Sequence, residues 1–392
     1  MISDPLAGLA LDGASTVPLY RQIYGRVSAA VLDGRLPPGA RLPSARSLAA
    51  QLSIARGTVE TAYQLLAGEG YIVARGAAGT LVAPALDRRL LTSGRAARGK
   101  RAAVPPVPTG MSVGPPLPLR MGLPALDAFP HKVWSRLFAR QARALRPADL
   151  VYQSPAGQEA LRVEVARYLA VARGVACVPQ QVFITGGFQG ALGLVIRAVL
   201  RPGDTVWVED PGYDNARNAL RLAGARVVGI PVDRAGMDVS RALAKTPPAR
   251  LAVVTPTHQA PLTVTLSLPR RMALLDWAAA HDAWIVEDDY DSEYRYLGKL
   301  LPALKGIDRR DRVLFTGSFS KVLSPGLRVG YLVVPPALVE RVAAVADLLQ
   351  PPPAALVQAT IAEFLAHGYF GRHIRRMRQL YGERRAALVQ AL

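Results

Sequence analysis

The sequence predicts a two-part α/β protein, in which a small helical unit precedes a large unit built on a mainly parallel central sheet. From Val182 onward, short β-branched runs alternate with helical stretches, a pattern typical of a parallel sheet with helices on both faces. Before residue 84, apolar residues recur instead at helical spacing. A chain of 392 residues is longer than a single hydrophobic core usually supports, so we expect at least two domains.

Composition narrows the choice of partners and compartment. The formal net charge of +19 favours a polyanionic partner, nucleic acid first, although an Arg-, Ala- and Pro-rich composition can be basic without one. The single cysteine, Cys177, excludes an intrachain disulfide and a multi-thiolate metal site and fits a reducing cytoplasm. Apolar runs are far shorter than a membrane span, and no basic, apolar leader opens the chain. We therefore expect a cytoplasmic protein without a membrane segment or a metal site.

A linker is predicted between the two parts. Residues 84–120 are rich in proline and arginine, a composition that makes a segment stiff, basic and poorly packed. We therefore assign residues 15–83 to an N-terminal domain, residues 84–120 to the linker and residues 121–392 to a C-terminal domain.

The N-terminal part is predicted to form three helices followed by a β-hairpin. Asp33-Gly34 ends the first helix, and Ser44 is placed to cap the second. Segments 71–73 and 80–82 can pair as strands. This order predicts a winged helix-turn-helix whose third helix meets DNA at its N-terminal end. The apolar stripes that define the helices are Leu19, Ile23, Val27, Ala30 and Val31, then Leu48 and Leu52, then Val59, Ala62, Tyr63 and Leu66.

Two motifs in this part resemble the GntR-type DNA-binding domain. The first is LPPGARLPSARSLA, residues 36–49, and the second is Arg56-Gly57-Thr58-Val59 followed by Ala62-Tyr63. The resemblance implies double-stranded operator DNA as the partner. The residues that it places at DNA are Arg46 and Arg56 at phosphate or guanine, Thr58 at the backbone, and Arg75, Gly76 and Gly79 at the wing tip.

One position departs from this family pattern. Ala55 stands where the family usually has a serine or threonine that caps the recognition helix, a loss worth about 1 kcal/mol. Alternatively, Arg46 and Arg56 belong to a solvated helix surface and do not contact DNA.

In the large part, chemically informative residues follow the predicted strands, where parallel sheets bind ligands. Gly186 to Gly190 follows Val182–Thr185 and opens a helix whose N–H groups can hold a phosphate. Lys321 lies at a turn after a buried strand, where desolvation lowers the pKa of a lysine and allows it to form a Schiff base. The remaining strand ends present Glu209 to Tyr213, Thr255 to Gln259, and Glu287 to Tyr290.

Together these strand ends supply what pyridoxal 5′-phosphate requires. The lysine binds the aldehyde, an ionised carboxylate keeps the pyridine nitrogen protonated, and a phenol can hydrogen-bond the ring oxygen. Each group alone is weak evidence, because a Gly-rich turn is usually only a turn and Asp288-Asp289 is often only a solvated strand end. Their order within one strand-helix series indicates a cofactor site.

This stretch resembles the class I aminotransferase domain of fold-type I enzymes, and the chain from Pro18 onward resembles a MocR-type regulator of the GntR superfamily. The resemblance implies that Lys321 forms the internal aldimine. It further implies that Asp288 pairs with the pyridine nitrogen, Tyr290 with the ring oxygen, and that Tyr213 lies against the ring. The residues that it implies for the phosphate are Gly187, Phe188, Gln189, Ser318 and Ser320, with Arg328 at or near the phosphate and the substrate.

The same resemblance implies a homodimer, because Tyr152 matches a tyrosine that reaches the neighbouring subunit's cofactor. Two departures stand out. Ala260-Pro261-Leu262-Thr263 replaces an aromatic-Pro-Thr/Ser-Gly motif, and Thr263 cannot take glycine-only dihedral angles cheaply. The sequence also stops at Leu392, inside the first predicted helix of the small C-terminal subdomain, Tyr369 to Leu392, so we expect that subdomain to be incomplete.

We therefore expect a pyridoxal-phosphate-dependent transcription regulator that senses the cofactor, or an amine that reacts with it, through Lys321. Two alternatives remain open at this point. One is a working aminotransferase, since the site residues fit catalysis equally well. The other is a DNA-binding regulator whose second domain is only a dimerisation scaffold.

Overall fold

A computed structural model describes the chain in two compact units, Met1–Pro105 and Pro106–Leu392. Most of the predicted linker 84–120 lies outside the described residues, as do Ala77 and Ala78 of the predicted wing turn, and the domain boundaries remain predictions. The described residues are 11–13, 15–76, 79–84, 122–294 and 302–392.

The N-terminal unit contains three helices and a small antiparallel sheet of order β1-β3-β2. This confirms the predicted winged helix-turn-helix, with an additional two-residue strand. The predicted strand 71–73 begins one residue later, because the Tyr71 N–H closes the preceding helix by donating to Leu66 O at 2.9 Å. The bounds are α1 Leu19–Leu32, β1 Arg41–Leu42, α2 Ala45–Leu52, α3 Arg56–Gly68, β2 Ile72–Ala74 and β3 Thr80–Val82.

Apolar stripes from all three helices form the core of this unit. Ile23, Val27, Val59 and Leu66 have no exposed surface. Ser44 caps α2 as predicted, since its Oγ accepts from the Ser47 N–H at 3.1 Å. Packing against α1 and α2 thus anchors α3, while its N-terminal turn stays at the surface.

The C-terminal unit is built on an eight-stranded sheet of order β4-β11-β10-β9-β8-β5-β6-β7. Strands β5, β6, β8, β9 and β10 run parallel to their neighbours in this group, whereas β11 is antiparallel to both β10 and β4. The strand bounds are β4 Val182–Thr185, β5 Thr205–Asp210, β6 Arg226–Asp233, β7 Gly236–Met237, β8 Leu251–Val254, β9 Trp284–Asp289, β10 Val313–Ser318 and β11 Gly330–Val333.

Helices cover both faces of this sheet, and its central strands are buried on both sides. Every residue of β4 and β8 is buried, which explains their continuous apolar sequences. The helix bounds are α4 His131–Arg143, α5 Glu159–Arg173, α6 Phe188–Val199, α7 Asp214–Leu222, α8 Val239–Lys245, α9 Leu268–Ala280, α10 Leu304–Ile307, α11 Val339–Leu349, α12 Ala355–Ala366 and α13 Tyr369–Ala391.

Three strands extend further than their apolar runs predicted. β5, β9 and β10 continue through polar residues to Asp210, Asp289 and Ser318. Sequence reasoning ended them early because it treated buried polar residues as the start of a loop. Glu209, Asp288 and their neighbours therefore belong to the sheet, and the rigid ladder fixes their backbones.

Candidate functional site

The carboxyl ends of five strands meet at one edge of the C-terminal sheet. β5, β8, β9 and β10 are successive parallel neighbours, and β4 lies beyond β11 in the same direction as β10. Because parallel strands end at the same edge, the residues that follow them converge there. Predicted site residues on four of these strands lie at this edge.

A small cleft at this edge brings together three of the predicted residues. Phe188, Tyr213 and Asp288 all line it. The rings of Phe188 and Tyr213 meet edge to face, with centroids 5.9 Å apart. Glu209 and Thr255 also line the cleft. Two aromatic rings and two buried carboxylates therefore line the same small space.

Of the two adjacent acids at the end of β9, Asp288 lines the cleft and Asp289 does not. Successive side chains of a strand lie on opposite faces of the sheet, which separates these two acids. Burial, and then the charge of Asp289, together raise the pKa of Asp288 to about 8. Among the described residues, its carboxylate accepts one long hydrogen bond, 3.4 Å, from Thr316 Oγ1. A cation in the cleft would therefore stabilise its ionised form.

Lys321 lies beyond the end of β10, three residues after Ser318. Its Nζ donates to the carbonyl oxygen of Gly122 at 2.5 Å. Burial lowers the pKa of this lysine, and the nearby charges of Asp288 and Asp291 oppose that effect. A partly desolvated amine of this kind is more often unprotonated, the state that attacks a carbonyl.

The start of α6 forms a backbone cradle beside β11. Gly187 precedes the helix with φ of 84°, and the first N–H groups of α6 have no partner within the helix. A Cβ on Gly330 would lie 2.8 Å from Gly187 Cα and from Gly317 O, so only glycine allows this close approach. Gly330 pairs with Ser318 on one side and with Thr185 on the other. Ser318, on β10, is thus separated from this cradle by a single strand, β11.

The other predicted cofactor residues are more dispersed. Tyr290 and Ser320 are half-buried, and burial, then Asp291, raise the pKa of Tyr290. Gln189 and Arg328 are exposed, and Arg328 adopts a left-handed φ of 51°. Tyr152 is fully exposed beside Leu150 and Val151, which are 73% and 63% exposed. Within the described part of the chain, these five predicted residues do not line the cleft.

The loop Ala260 to Thr263, which departs from the family pattern, contains the backbone strain predicted at Thr263. Thr263 has a φ of 59°, a left-handed conformation that is costly for a β-branched residue. Its N–H donates to Gln259 O at 2.6 Å. The Gln259 side chain in turn donates to Glu209 Oε2 at 3.3 Å and to Pro211 O at 2.8 Å. This loop therefore braces the carboxylate of Glu209.

Sequence reasoning gave Glu209 no role, although it is one of the two buried acids of the cleft. Thr255 Oγ1 donates to its Oε2 at 2.5 Å, and burial raises the pKa of Glu209 to about 6. The only sequence signal was an acid directly after the apolar run of β5.

A buried ion pair behind the cleft was also missed. Arg173 Nε lies 2.6 Å from Asp289 Oδ2, and both side chains are 4% exposed. Arg173 also donates to Thr257 Oγ1 at 3.2 Å. No local pattern predicts a pair whose members are 116 residues apart.

In the N-terminal unit, the residues predicted to contact DNA lie on the surface. Arg46, Arg56 and Arg75 are exposed, and Thr58 is partly exposed. The wing turn closes where the Arg75 N–H donates to Gly79 O at 2.9 Å. Gly76 and Gly79 take positive φ values of 50° and 83°, which glycine tolerates. The exposed start of α3 carries no side-chain cap, as the presence of Ala55 predicted.

The described residues offer neither a membrane-crossing helix nor a metal-binding cluster. Within them, each helix is too short or too polar to span a bilayer. The same residues contain no group of three or more His, Cys, Asp or Glu side chains suited to a metal ion.

Fold and site together define a class of protein, a helix-turn-helix regulator with an aminotransferase-type domain. Residues 19–82 match the family model of bacterial regulatory proteins of the gntR family. Residues 127–392 match the model of class I and II aminotransferases.

Individual relatives agree over nearly the whole chain. The probable rhizopine catabolism regulatory protein MocR of Rhizobium meliloti is 40% identical over 97% of this chain and 78% of its own length. The pyridoxine biosynthesis transcriptional regulator PdxR of Corynebacterium glutamicum is 36% identical over 98% of this chain and 81% of its own. Among solved structures, the α-aminoadipate aminotransferase LysN of Thermus thermophilus, complexed with a phosphopyridoxyl-leucine, has a TM-score of 0.63 and 32% identity, covering 69% of each chain.

The chain belongs to the MocR type of gntR-family transcription regulators. It is a DNA-binding regulator with a class I aminotransferase domain, and this family implies pyridoxal 5′-phosphate as its cofactor.

Proposed function

We propose that this regulator binds operator DNA through α3 and the wing and senses pyridoxal phosphate, or an amine that reacts with it, at Lys321. One observation carries the sensing part of this proposal. Phe188, Tyr213 and Asp288 line a single cleft, and the charge of Asp288 acts on Lys321. Two aromatic rings and a buried acid thus line one cleft, and the partly desolvated amine of Lys321, which does not line it, lies near enough for the charge of that acid to act on it.

The donor set of the cleft fits the cofactor. Asp288 is a buried acid with a raised pKa, and the protonated pyridine nitrogen would supply the cation that it lacks. The start of α6 and the side chain of Ser318 would hold the phosphate, and Tyr213 would lie against the ring. When bound, the cofactor supplies an aldehyde that reacts with amines.

The further predicted residues would complete this site. Tyr290 is a half-buried phenol directly after β9 and would hydrogen-bond the ring oxygen. Gln189 and Ser320 would add contacts to the phosphate, and the exposed Arg328 would lie at the phosphate and the effector.

We also propose that the regulator acts as a cytoplasmic homodimer. Tyr152 and its neighbours Leu150 and Val151 form an apolar, exposed segment, and exposed apolar patches are typical of protein interfaces. In the dimer, Tyr152 would reach the cofactor of the partner subunit.

Sensing requires that the cofactor binds the DNA-competent and DNA-incompetent states with different affinities. A ligand with equal affinity for both states shifts nothing. The test is therefore the affinity of the chain for a DNA duplex, selected from a random-sequence pool, with and without pyridoxal phosphate. We expect the cofactor to change this affinity in the native chain and to leave it unchanged in Lys321→Ala.

An unchanged affinity in both proteins would reject sensing and favour a second domain that only dimerises. The similarity to LysN favours a second candidate, a working aminotransferase. Steady transfer of an amino group from an amino acid to a keto acid, lost in Lys321→Ala, would support that candidate and contradict sensing as the whole role.

A further inference from the structure

The exposed start of the recognition helix carries an ion pair within one turn. Arg56 is the first residue of α3, and its Nε lies 2.7 Å from Oε1 of Glu60. The side chains are 67% and 43% exposed, so the pair lies on the face proposed to meet DNA. A carboxylate on such a face is unexpected, because DNA phosphates repel it.

The geometry of this pair leaves most of the guanidinium available. An arginine has five N–H donors in a planar fork, and Glu60 uses the one on Nε. Each of the two Nη atoms directs one N–H to the end of the guanidinium, and Glu60 uses neither of these two donors. That end has the shape needed to donate two parallel hydrogen bonds to guanine O6 and N7.

The helix start gives Arg56 no other restraint of this kind. A cation at the first position of a helix is repelled by the positive end of the helix dipole. The first turn of α3 contains no acidic residue, and Ala55 provides no side-chain cap. Glu60, one turn further, is the acid that holds the guanidinium in place.

We propose that Glu60 is a positioning residue for base recognition, which fixes the plane of the Arg56 guanidinium so that its Nη edge reads one guanine. This inference rests on the proposed DNA contact of Arg56. Glu60 itself donates nothing to DNA, and its charge weakens binding to any sequence. Glu60 therefore lowers the affinity for DNA of any sequence and raises the discrimination between sequences.

The test uses the full-length chain and a duplex selected by the native protein from a random-sequence pool. The guanine read by Arg56 is the position where Arg56→Ala loses discrimination between the selected base and its replacements. We expect Glu60→Ala to reduce discrimination there by about 5- to 10-fold, which is part of the discrimination that a bidentate contact provides. Affinity for a scrambled duplex should rise, because one negative charge has been removed. Glu60→Gln keeps an acceptor for the Arg56 Nε–H, so its discrimination at that base should lie between that of the native chain and that of Glu60→Ala.

Two controls separate positioning from other effects. Asp33→Ala removes an exposed acid that pairs with Arg35 outside the recognition helix, and it should leave discrimination unchanged. In an Arg56→Ala background, Glu60→Ala should have no further effect on discrimination, since there is no guanidinium to position.

The outcomes distinguish this inference from the proposal beneath it. If Arg56→Ala leaves sequence preference intact, the proposed Arg56 contact is wrong and this inference fails with it. If Arg56→Ala removes the preference but Glu60→Ala does not reduce it, only the positioning role is overturned. A persistent Glu60→Ala effect in the Arg56→Ala background would also overturn it, because Glu60 would then read a base directly.

Discussion

The two units of this regulator place the charged residues of their candidate sites in opposite environments. Arg46, Arg56 and Arg75 are exposed on the N-terminal unit, whereas Asp288 and Glu209 are buried at the sheet edge of the C-terminal unit. Exposed charges act at long range on a polyanion and are screened by salt. Buried charges act on one group at short range and respond to pH, because burial displaces their pKa values. The first arrangement suits DNA, and the second suits a small cofactor.

The largest change in affinity is expected at the buried acids of the C-terminal unit. Asp288→Asn should weaken binding of pyridoxal phosphate on the order of 100-fold, because the pyridine nitrogen would lose a desolvated ionic partner. An absorbance titration with the cofactor measures this. Asp276→Asn makes the same chemical change on the exposed side of α9 and should leave the affinity unchanged. Equal affinities for Asp288→Asn and the native chain would remove Asp288 from the cofactor site.

At the exposed end, Arg56→Ala should weaken binding to the selected duplex by about 10- to 100-fold. Binding of pyridoxal phosphate should not change, because Arg56 belongs to the other unit. Fluorescence anisotropy with labelled duplex gives the affinity. Arg26→Ala, an exposed arginine on α1, is the matched control and should have a smaller effect. A native-like affinity in Arg56→Ala would place the DNA-binding surface elsewhere.

A smaller effect concerns stability and pH in the cofactor-free protein. Burial raises the pKa of Asp288 from 3.8 to about 8, so the folded chain holds a proton that the unfolded chain releases in this window. Stability should therefore fall as pH rises from about 4 to 8. Asp288→Asn should melt higher than the native chain at pH 8, by about 2–4 °C for each kcal/mol gained, and the gap should close toward pH 4. A gap that grows toward pH 4 would contradict the raised pKa.

The smallest effect tests the uncapped recognition helix. Ala55 has extended dihedral angles, φ −65° and ψ 136°, which a capping serine also adopts. Ala55→Ser should stabilise the N-terminal unit by about 1 kcal/mol, measured by thermal unfolding. Ser44→Ala is the reverse change on α2, where a cap bond exists, and should cost a similar amount. If Ala55→Ser gains nothing, the start of α3 does not need a cap.

Sequence could predict most of the fold because its signals are local. Apolar periodicity in α1 and α3, the cap at Ser44 and the continuous apolar runs of β4 and β8 each lie within a few residues. The order of strand ends then placed the candidate cofactor residues at one edge of the sheet. These predictions needed no knowledge of distant contacts.

The sequence could not predict relations that arise only when the sheet assembles. Asp288 and Asp289 are adjacent and chemically identical, and only the strand's orientation separates the one that lines the cleft from the one that pairs with Arg173. The brace between Glu209 and Gln259 joins residues 50 positions apart. The length of β9 was also underestimated, because its last three residues are acids that burial alone reveals as part of the strand.

The central claim is that Lys321 binds the cofactor covalently, and one measurement tests it most directly. The native chain, Lys321→Ala and Lys245→Ala are each mixed with pyridoxal phosphate, their visible spectra are recorded, and each sample is reduced with borohydride. Lys245 is an exposed lysine at the end of α8 and controls for nonspecific labelling. We predict a visible band in the native chain and in Lys245→Ala, with the cofactor fixed to the peptide that contains Lys321. A band of equal strength in Lys321→Ala, or no band in the native chain, would contradict the account.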